Sequence, residues 1–212
     1  MKLRKTRWAK CSLYLILDAQ VCPYGRLWEV FQAGVNNGVD IVQLRDKLGT
    51  VAQALAFTVR ARRYLKDSIP FMVNDRADVA YAAGASGVHV GQDDLPVAAA
   101  RKILPRPFLV GKSCQTRAHV MEAVKEGADY AGFGSVFKTK TKPGRSPMDL
   151  RLLYEVAHGA LLPVFAIGGI TRDNIALVRA QGVSRVAVCR DILLAQDPAR
   201  AAREFKRALI AD

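Results

Sequence analysis

The chain has few of the residues that usually announce catalysis or metal binding. Its 212 residues hold three histidines and four cysteines, and the cysteines (Cys11, Cys22, Cys114, Cys189) form no CxxC pair. In a chain this long, that argues against a disulfide framework and a zinc site and fits a reducing, cytoplasmic setting. No HExxH, GxSxG or Walker loop occurs, which removes the commonest hydrolase, metalloprotease and nucleotidase signatures. No apolar run approaches the ~18–20 residues that span a bilayer. The basic start, MKLRKTRWAK, leads into only five apolar residues, Leu13 to Leu17, before Asp18, with no small-residue cleavage site behind them. It therefore reads as a basic extension over residues 1–11 feeding a first strand, not as a signal peptide. Acidic residues are also scarce, 19 against 32 Lys and Arg, giving a formal charge of +13. Nucleic acid, anionic lipid or a phosphorylated small molecule could answer that charge, which carries no information about fold.

What is present is regular. Half of the residues are hydrophobic, which excludes intrinsic disorder, and no Pro- or Ser-rich linker divides residues 1–212, so the expectation is one domain. Eight short apolar runs alternate with helical patterns: Ser12–Asp18, Ile41–Arg45, Phe71–Asp75, Val88–Gly91, Leu109–Cys114, Tyr130–Val136, Val164–Gly168 and Arg185–Arg190. Between the second and third, Thr50–Lys66 repeats apolar residues every four positions and opens with a Thr50/Gln53 capping box. A weak repeat ends helices at Gly38, Gly84, Gly127 and Gly182, each followed within a few residues by an even-numbered strand. Eight βα units predict an α/β chain closed as a single-domain (β/α)8 TIM barrel; an open doubly wound sheet shares the same punctuation.

In such barrels the chemistry gathers at the C-terminal ends of the strands. Here those ends read Gln43-Leu44-Arg45-Asp46-Lys47, Asn74-Asp75-Arg76, Gln92-Asp93-Asp94, Ser113 and Gly168-Gly169. Asp75 and Asp94 follow adjacent strands and could share a hard cation such as Mg2+, which takes one or two carboxylates plus waters and phosphate oxygens. Each could equally cap its own following helix. The segment 138–145 packs four basic residues and two hydroxyls into eight positions, which suits a lid over phosphate as well as a solvated loop. The glycine pair after strand seven lets backbone N–H groups approach an anion. Two anion sites imply two phosphorylated substrates or one long one. Bases are missing: His89 reads as a packed, hydrogen-bonded strand residue, His119 and His158 fall in helices, and Cys114 and Cys189 read as small buried hydrophobes. Such a site suits chemistry driven by departure of a phosphate leaving group.

Taken together, QLRDK, FMVNDRADVA, GVHVGQDDLP, VGKSCQT, GADYAGFGSVFKTKTK and PVFAIGGI run in order over almost the whole chain and resemble the thiamine-phosphate synthase family. The resemblance implies a transferase that joins an aminopyrimidine diphosphate to a thiazole phosphate. It implies that Gln43, Leu44, Arg45, Asp46, Lys47, Asn74, Ser113 and Lys142 hold the pyrimidine diphosphate, with catalytic roles for Arg45, Lys47, Ser113 and Lys142. Asp75 and Asp94 would bind Mg2+, and Thr139, Lys140, Thr141, Gly169, Cys189 and Arg190 would hold the thiazole phosphate. Pyrophosphate would leave first, and the thiazole nitrogen would attack the resulting pyrimidine methyl cation, with charge stabilisation replacing proton transfer.

Two positions depart from the family pattern: Arg190 stands where a serine is usual, and Gln115 where a histidine often follows strand five. The second departure counts against a thiazole tautomerase of the same superfamily. A basic barrel that binds nucleic acid without catalysis is the alternative that the charge suggests, but the basic residues beyond the first ten are scattered and no nucleic-acid motif appears. The expected partners are thus small phosphorylated molecules, with no nucleic acid and no membrane; a homo-oligomer is compatible with every feature above.

Overall fold

A computed structural model describes residues 11–141, 144 and 146–210. Eight parallel strands close on themselves in sequence order: β1 Leu13–Asp18, β2 Ile41–Arg45, β3 Phe71–Asn74, β4 Gly87–Val90, β5 Leu109–Cys114, β6 Tyr130–Phe133, β7 Val164–Ile167 and β8 Val186–Val188. The seam is made by β1 and β8, with Leu13 opposite Val186. Helices follow the strands on the outside: α1 Tyr24–Val35, α2 Val51–Leu65, α3 Ala77–Ala82, α4 Val97–Ile103, α5 Arg117–Lys125, α6 Leu150–Gly159 and α7 Ile175–Arg179. The short α8 (Arg190–Leu193) and α9 (Pro198–Ile210) complete the shell. The chain is thus a (β/α)8 barrel, not an open sheet. No described helix is long and apolar enough to cross a membrane.

Local signals explain the elements. The Thr50 side chain accepts from the Gln53 amide while Gln53 reaches back to Thr50, so the predicted capping box starts α2. The four repeat glycines before β2, β4, β6 and β8 all carry positive φ, between 62° and 104°, the conformation a left-handed cap requires.

Strand ends are where the sequence reading needs correction. Asp75 adopts φ 62° and leaves β3 one residue early. β4 lies one residue earlier than expected, because Gly87 already pairs with Leu109. β6 stops at Phe133, three residues short: Gly134 runs so close to the Ile167 carbonyl that no side chain fits, and beyond it Val136 and Phe137 donate to Ile167 and Gly168 as a loop. Only three residues pair in β8, and Arg190 begins α8 instead of ending a strand. Cys11, assigned by sequence to the basic extension, is buried in the barrel floor beside Tyr14 and Ile41; the rest of that extension lies outside the described residues.

Alternation along the strands sorts side chains into two layers. Leu13, Leu15, Leu17, Val42, Leu44, Phe71 and Val186 face the helices in the main core. Tyr14, Ile16, Ile41, Met72, Tyr130, Phe165 and Ala187 fill the barrel's inside. Polar residues occupy the inward phase nearer the C-terminal ends, and they open onto the site.

Candidate active site

A cavity of about 450 Å³ lies at the C-terminal mouth of the barrel, within the range of small-molecule sites. Gln43, Arg45, Asn74, His89, Ser113 and Gly132 form its floor. Its opposite wall runs from Lys138 through Thr139, Lys140 and Thr141 to Gly168–Thr171, Cys189 and Arg190.

The floor is held by a continuous line of hydrogen bonds. Gln43 Nε2 donates to Asn74 Oδ1 at 2.6 Å, and Tyr14 Oη donates to Gln43 Oε1 at 2.7 Å. Tyr14 and Tyr130 hydroxyls lie 2.9 Å apart. His89 then bridges Tyr130 Oη (3.0 Å from Nδ1) and Ser113 Oγ (2.9 Å from Nε2). His89 is therefore the buried, hydrogen-bonded strand residue the sequence suggested, and it also reaches the cavity wall. Beside this line, Arg45 Nη1 is 2.8 Å from the carboxylate of Asp18, whose side chain is 1% exposed, and also donates to Gln20. A buried carboxylate needs such a partner, and the pair fixes the guanidinium at the cavity floor.

Asp75 and Asp94 meet just beyond the ends of β3 and β4, as adjacent strands allow. Their carboxyls are in hydrogen-bonding contact, and Lys47 Nζ lies 2.6 Å from Asp75 and 3.9 Å from Asp94. Burial pushes the Asp75 carboxyl above its usual range, the Lys47 ammonium pulls it back, and the neighbouring Asp94 raises it further. Two carboxylates brought together from adjacent strands form an oxygen donor set of the kind a hard divalent cation takes, so the two residues fit Mg2+. Among the described residues no third His, Cys, Asp or Glu joins them, so the remaining ligands would be water or substrate oxygens. Asp94 also accepts from the Gly91 amide at 2.8 Å, a bond that closes its own loop; neither carboxylate caps the helix that follows it, since those helices start at Arg76 and Pro96 without a side-chain cap.

On the opposite wall, glycine is required twice. A Cβ on Gly168 would collide with Ser135 Oγ, and one on Gly169 with the Lys138 carbonyl. Both carry positive φ, 102° and 65°. The pair therefore brings the β6–α6 loop, with Lys138 and Lys140, against the β7 turn. Arg190 lines the cavity from the first turn of α8, while Arg172 is held outside by Asp191 and Glu204. Burial pushes the Cys189 and Cys114 thiols up to about 12, away from the thiolate form.

The family model described as thiamine monophosphate synthase matches residues 13–192. The chain belongs to the thiamine monophosphate synthase family. It is 38% identical over 202 residues to the thiamine-phosphate synthase of Methanospirillum hungatei, covering 94% of this chain and 98% of that protein. Against that of Mycobacterium sp. strain JLS the identity is 42% over 214 residues, covering 95% and 94%. The thiamine-phosphate synthases of Gloeobacter violaceus and Thermosynechococcus vestitus, each 40% identical, are longer: this chain spans 59% and 58% of their lengths. Among solved structures, thiamine phosphate pyrophosphorylase from Pyrococcus furiosus superposes with a TM-score of 0.86 at 32% identity over 96% of this chain and 97% of that one. A 3-hexulose-6-phosphate synthase at 23% identity and TM-score 0.69 shares the barrel fold.

Not every residue implied by the family pattern turns its side chain to the cavity. Leu44 packs outward into the helix-side core, because its strand neighbours Gln43 and Arg45 take the inward phase. Asp46 accepts from Tyr24 Oη (2.6 Å) and from the Leu48 and Gly49 amides, so its carboxylate closes the β2–α2 loop. Lys142 lies outside the described residues. His119 and His158 sit on α5 and α6, outside the barrel, as expected. Sequence reasoning missed Asp18, Tyr14 and Tyr130. Their signal was the period of two: Tyr14, Ile16 and Asp18 share one face of β1, the face that Gln43 and Arg45 continue on β2.

Proposed function

We propose that the chain couples 4-amino-2-methyl-5-(diphosphooxymethyl)pyrimidine with 4-methyl-5-(2-phosphooxyethyl)thiazole, giving thiamine phosphate and pyrophosphate. The supporting observation is one cavity with a polar floor that carries Arg45, a basic and glycine-built wall on one side, and a carboxylate–lysine cluster beside the other. Asp75, Asp94 and Lys47 cluster just beyond the ends of β2, β3 and β4, next in sequence to cavity-lining Arg45 and Asn74; across the cavity stand Lys138, Lys140, the Gly168–Gly169 turn and Arg190. Gln43, Asn74 and Ser113 provide amide and hydroxyl groups for the heterocycle, and Arg45 an adjacent fixed cation. Mg2+ held by Asp75 and Asp94 would stabilise charge on the departing diphosphate. Lys47, in contact with both carboxylates, would exchange those contacts for diphosphate oxygens, and Lys142 would add a second ammonium. Thr139, Lys140, Thr141, Gly169 and Arg190 would position the thiazole phosphate, with Arg190 supplying a bidentate guanidinium where the family pattern implied by the resemblance has a serine. The carbon–oxygen bond to the diphosphate breaks first, and the thiazole nitrogen then donates its pair to the pyrimidine methyl carbon. The step so written needs no general base. We place this work in the cytoplasm, on small-molecule partners alone.

The test is an assay of purified protein with both substrates and Mg2+, following thiamine phosphate and pyrophosphate. Turnover is expected, and well-folded protein that makes neither product refutes the reading. Asp94→Ala should lower turnover by at least about 10²-fold with an unchanged circular dichroism spectrum. Replacing Arg190 by Ser should raise the KM for thiazole phosphate; an unchanged KM removes Arg190 from that site.

A further inference from the structure

The line of hydrogen bonds across the cavity floor has a direction. Gln43 Nε2 donates to Asn74, so Gln43 Oε1 is the acceptor for the Tyr14 hydroxyl. A phenol carries one hydrogen, so the hydrogen shared between the two tyrosines belongs to Tyr130. With the His89 ring neutral, Tyr130 Oη then accepts from His89 Nδ1–H, and Nε2 accepts from the Ser113 hydroxyl. Each bond fixes the next. At the two ends, Asn74 is left to present its Nδ2–H and Ser113 its oxygen lone pairs to the cavity they both line.

We propose that Tyr14 and Tyr130 are positioning residues that fix a donor at Asn74 and an acceptor at Ser113, and thereby set a preference for a 4-aminopyrimidine diphosphate over its 4-oxo counterpart. This rests on the pyrimidine reading above. A 4-aminopyrimidine offers an N–H donor beside a ring-nitrogen acceptor. The 4-oxo ring, in its lactam form, offers a carbonyl acceptor beside a ring N–H, the reverse pattern. Against a floor of fixed polarity the wrong ring leaves both partners unpaired, and buried mismatches of that kind reject analogues by ~10⁴–10⁵-fold.

The surroundings keep the two phenols in place. Both are fully buried, and burial raises their ionisation far above neutrality, so each retains its hydrogen. Phe165 meets the Tyr14 ring edge-on at 5.4 Å and the Tyr130 ring at 5.7 Å. The backbone is cleared for the chain as well. A side chain on Gly111 would collide with the Tyr130 ring, and one on Gly132 would meet His89 Cε1 at 3.3 Å.

The experiment has two arms on the full-length protein. Two-bond 1H–15N NMR of 15N-histidine-labelled protein, with the His89 signals assigned by their loss in His89→Gln, reads the tautomer directly. Wild type is expected to carry the proton on Nδ1, and Tyr130→Phe, which removes the acceptor, should move it to Nε2. A wild-type ring protonated at Nε2, the order that a chain running the opposite way requires, overturns the proposal. In the second arm, kcat/KM is measured for the 4-amino and 4-oxo pyrimidine diphosphates with thiazole phosphate. Wild type should favour the amino substrate by at least about 10³-fold. Tyr14→Phe and Tyr130→Phe, each checked for folding by thermal melting, should lower that ratio about tenfold or more. An unchanged ratio in both variants overturns the specificity claim. Wild type that turns over neither pyrimidine refutes the proposed function, while the tautomer still decides the order of hydrogens.

Discussion

Two aromatic clusters lie on opposite faces of the same sheet, and they are held by different forces. Outside the barrel, Trp28 and Phe31 of α1, Phe57 of α2 and Phe71 of β3 pack ring against ring at 5.1 to 6.3 Å. Their contribution is apolar area and shape, which are non-directional. Inside, Tyr14, Tyr130 and Phe165 pack just as closely, but two of the three carry hydroxyls that join a directional chain ending at the cavity. The outer cluster fastens helices to strands; the inner one sets which atoms the floor presents. One residue step separates the two roles: Phe71 faces out, Met72 in, and Asn74 on the same phase reaches the site.

Truncating the outer cluster should therefore cost stability and leave chemistry alone. Phe31→Ala removes a side chain with no exposed surface, and a loss of about 3–5 kcal/mol is expected in chemical denaturation. The turnover of the fraction that remains folded should match wild type; a lower value would mean that the outer layer also shapes the floor. The inner floor should behave the other way. Gln43→Leu removes the acceptor of the Tyr14 hydroxyl and the donor to Asn74 Oδ1, a cost of about 1–3 kcal/mol. Its turnover should nevertheless fall about 10²-fold, because the heterocycle loses its fixed orientation. Equal losses of activity in the two variants would erase the distinction between the layers.

The barrel was legible because eight apolar runs and four glycines recur with a regular spacing that tertiary context does not override. Strand ends were less so. What stops β6 at Phe133 is the approach of the Ile167 carbonyl to Gly134, a contact 33 residues away along the chain. The carboxylate pair of Asp75 and Asp94 and the cavity wall of Thr139–Thr141, Gly169 and Arg190 could be named from motifs, since short segments hold them. Asp18, Tyr14 and Tyr130 could not. A tyrosine in an apolar strand reads as core, and only closure of the barrel shows that Tyr14 meets Tyr130, 116 residues away. Asp46 is the opposite case, a motif residue whose carboxylate is occupied by the loop it belongs to.

Tyr24 joins the two layers, and it supplies the smallest of the expected effects. Its ring packs on Phe57 at 5.5 Å in the outer cluster, while its hydroxyl donates to Asp46, the neighbour of Lys47. Burial pushes the Asp46 carboxyl up, but the Tyr24 hydroxyl and the Gly49 and Leu48 amides outweigh it and hold the group below its usual range. A depressed folded-state carboxyl contributes stability that is present above the unfolded value near ~3.9 and is lost as the pH falls through the folded value. Tyr24→Phe should thus cost at most about 1 kcal/mol in urea denaturation at pH 7, since two amide hydrogen bonds remain and the site is partly solvated. The gap to wild type should narrow below about pH 4, where the carboxylate that accepts the bond is being protonated. A gap that stays constant from pH 7 to pH 3 would mean that Tyr24 acts through its ring alone. It would then belong wholly to the outer layer, and the loop bearing Lys47 would owe its closure to the amides.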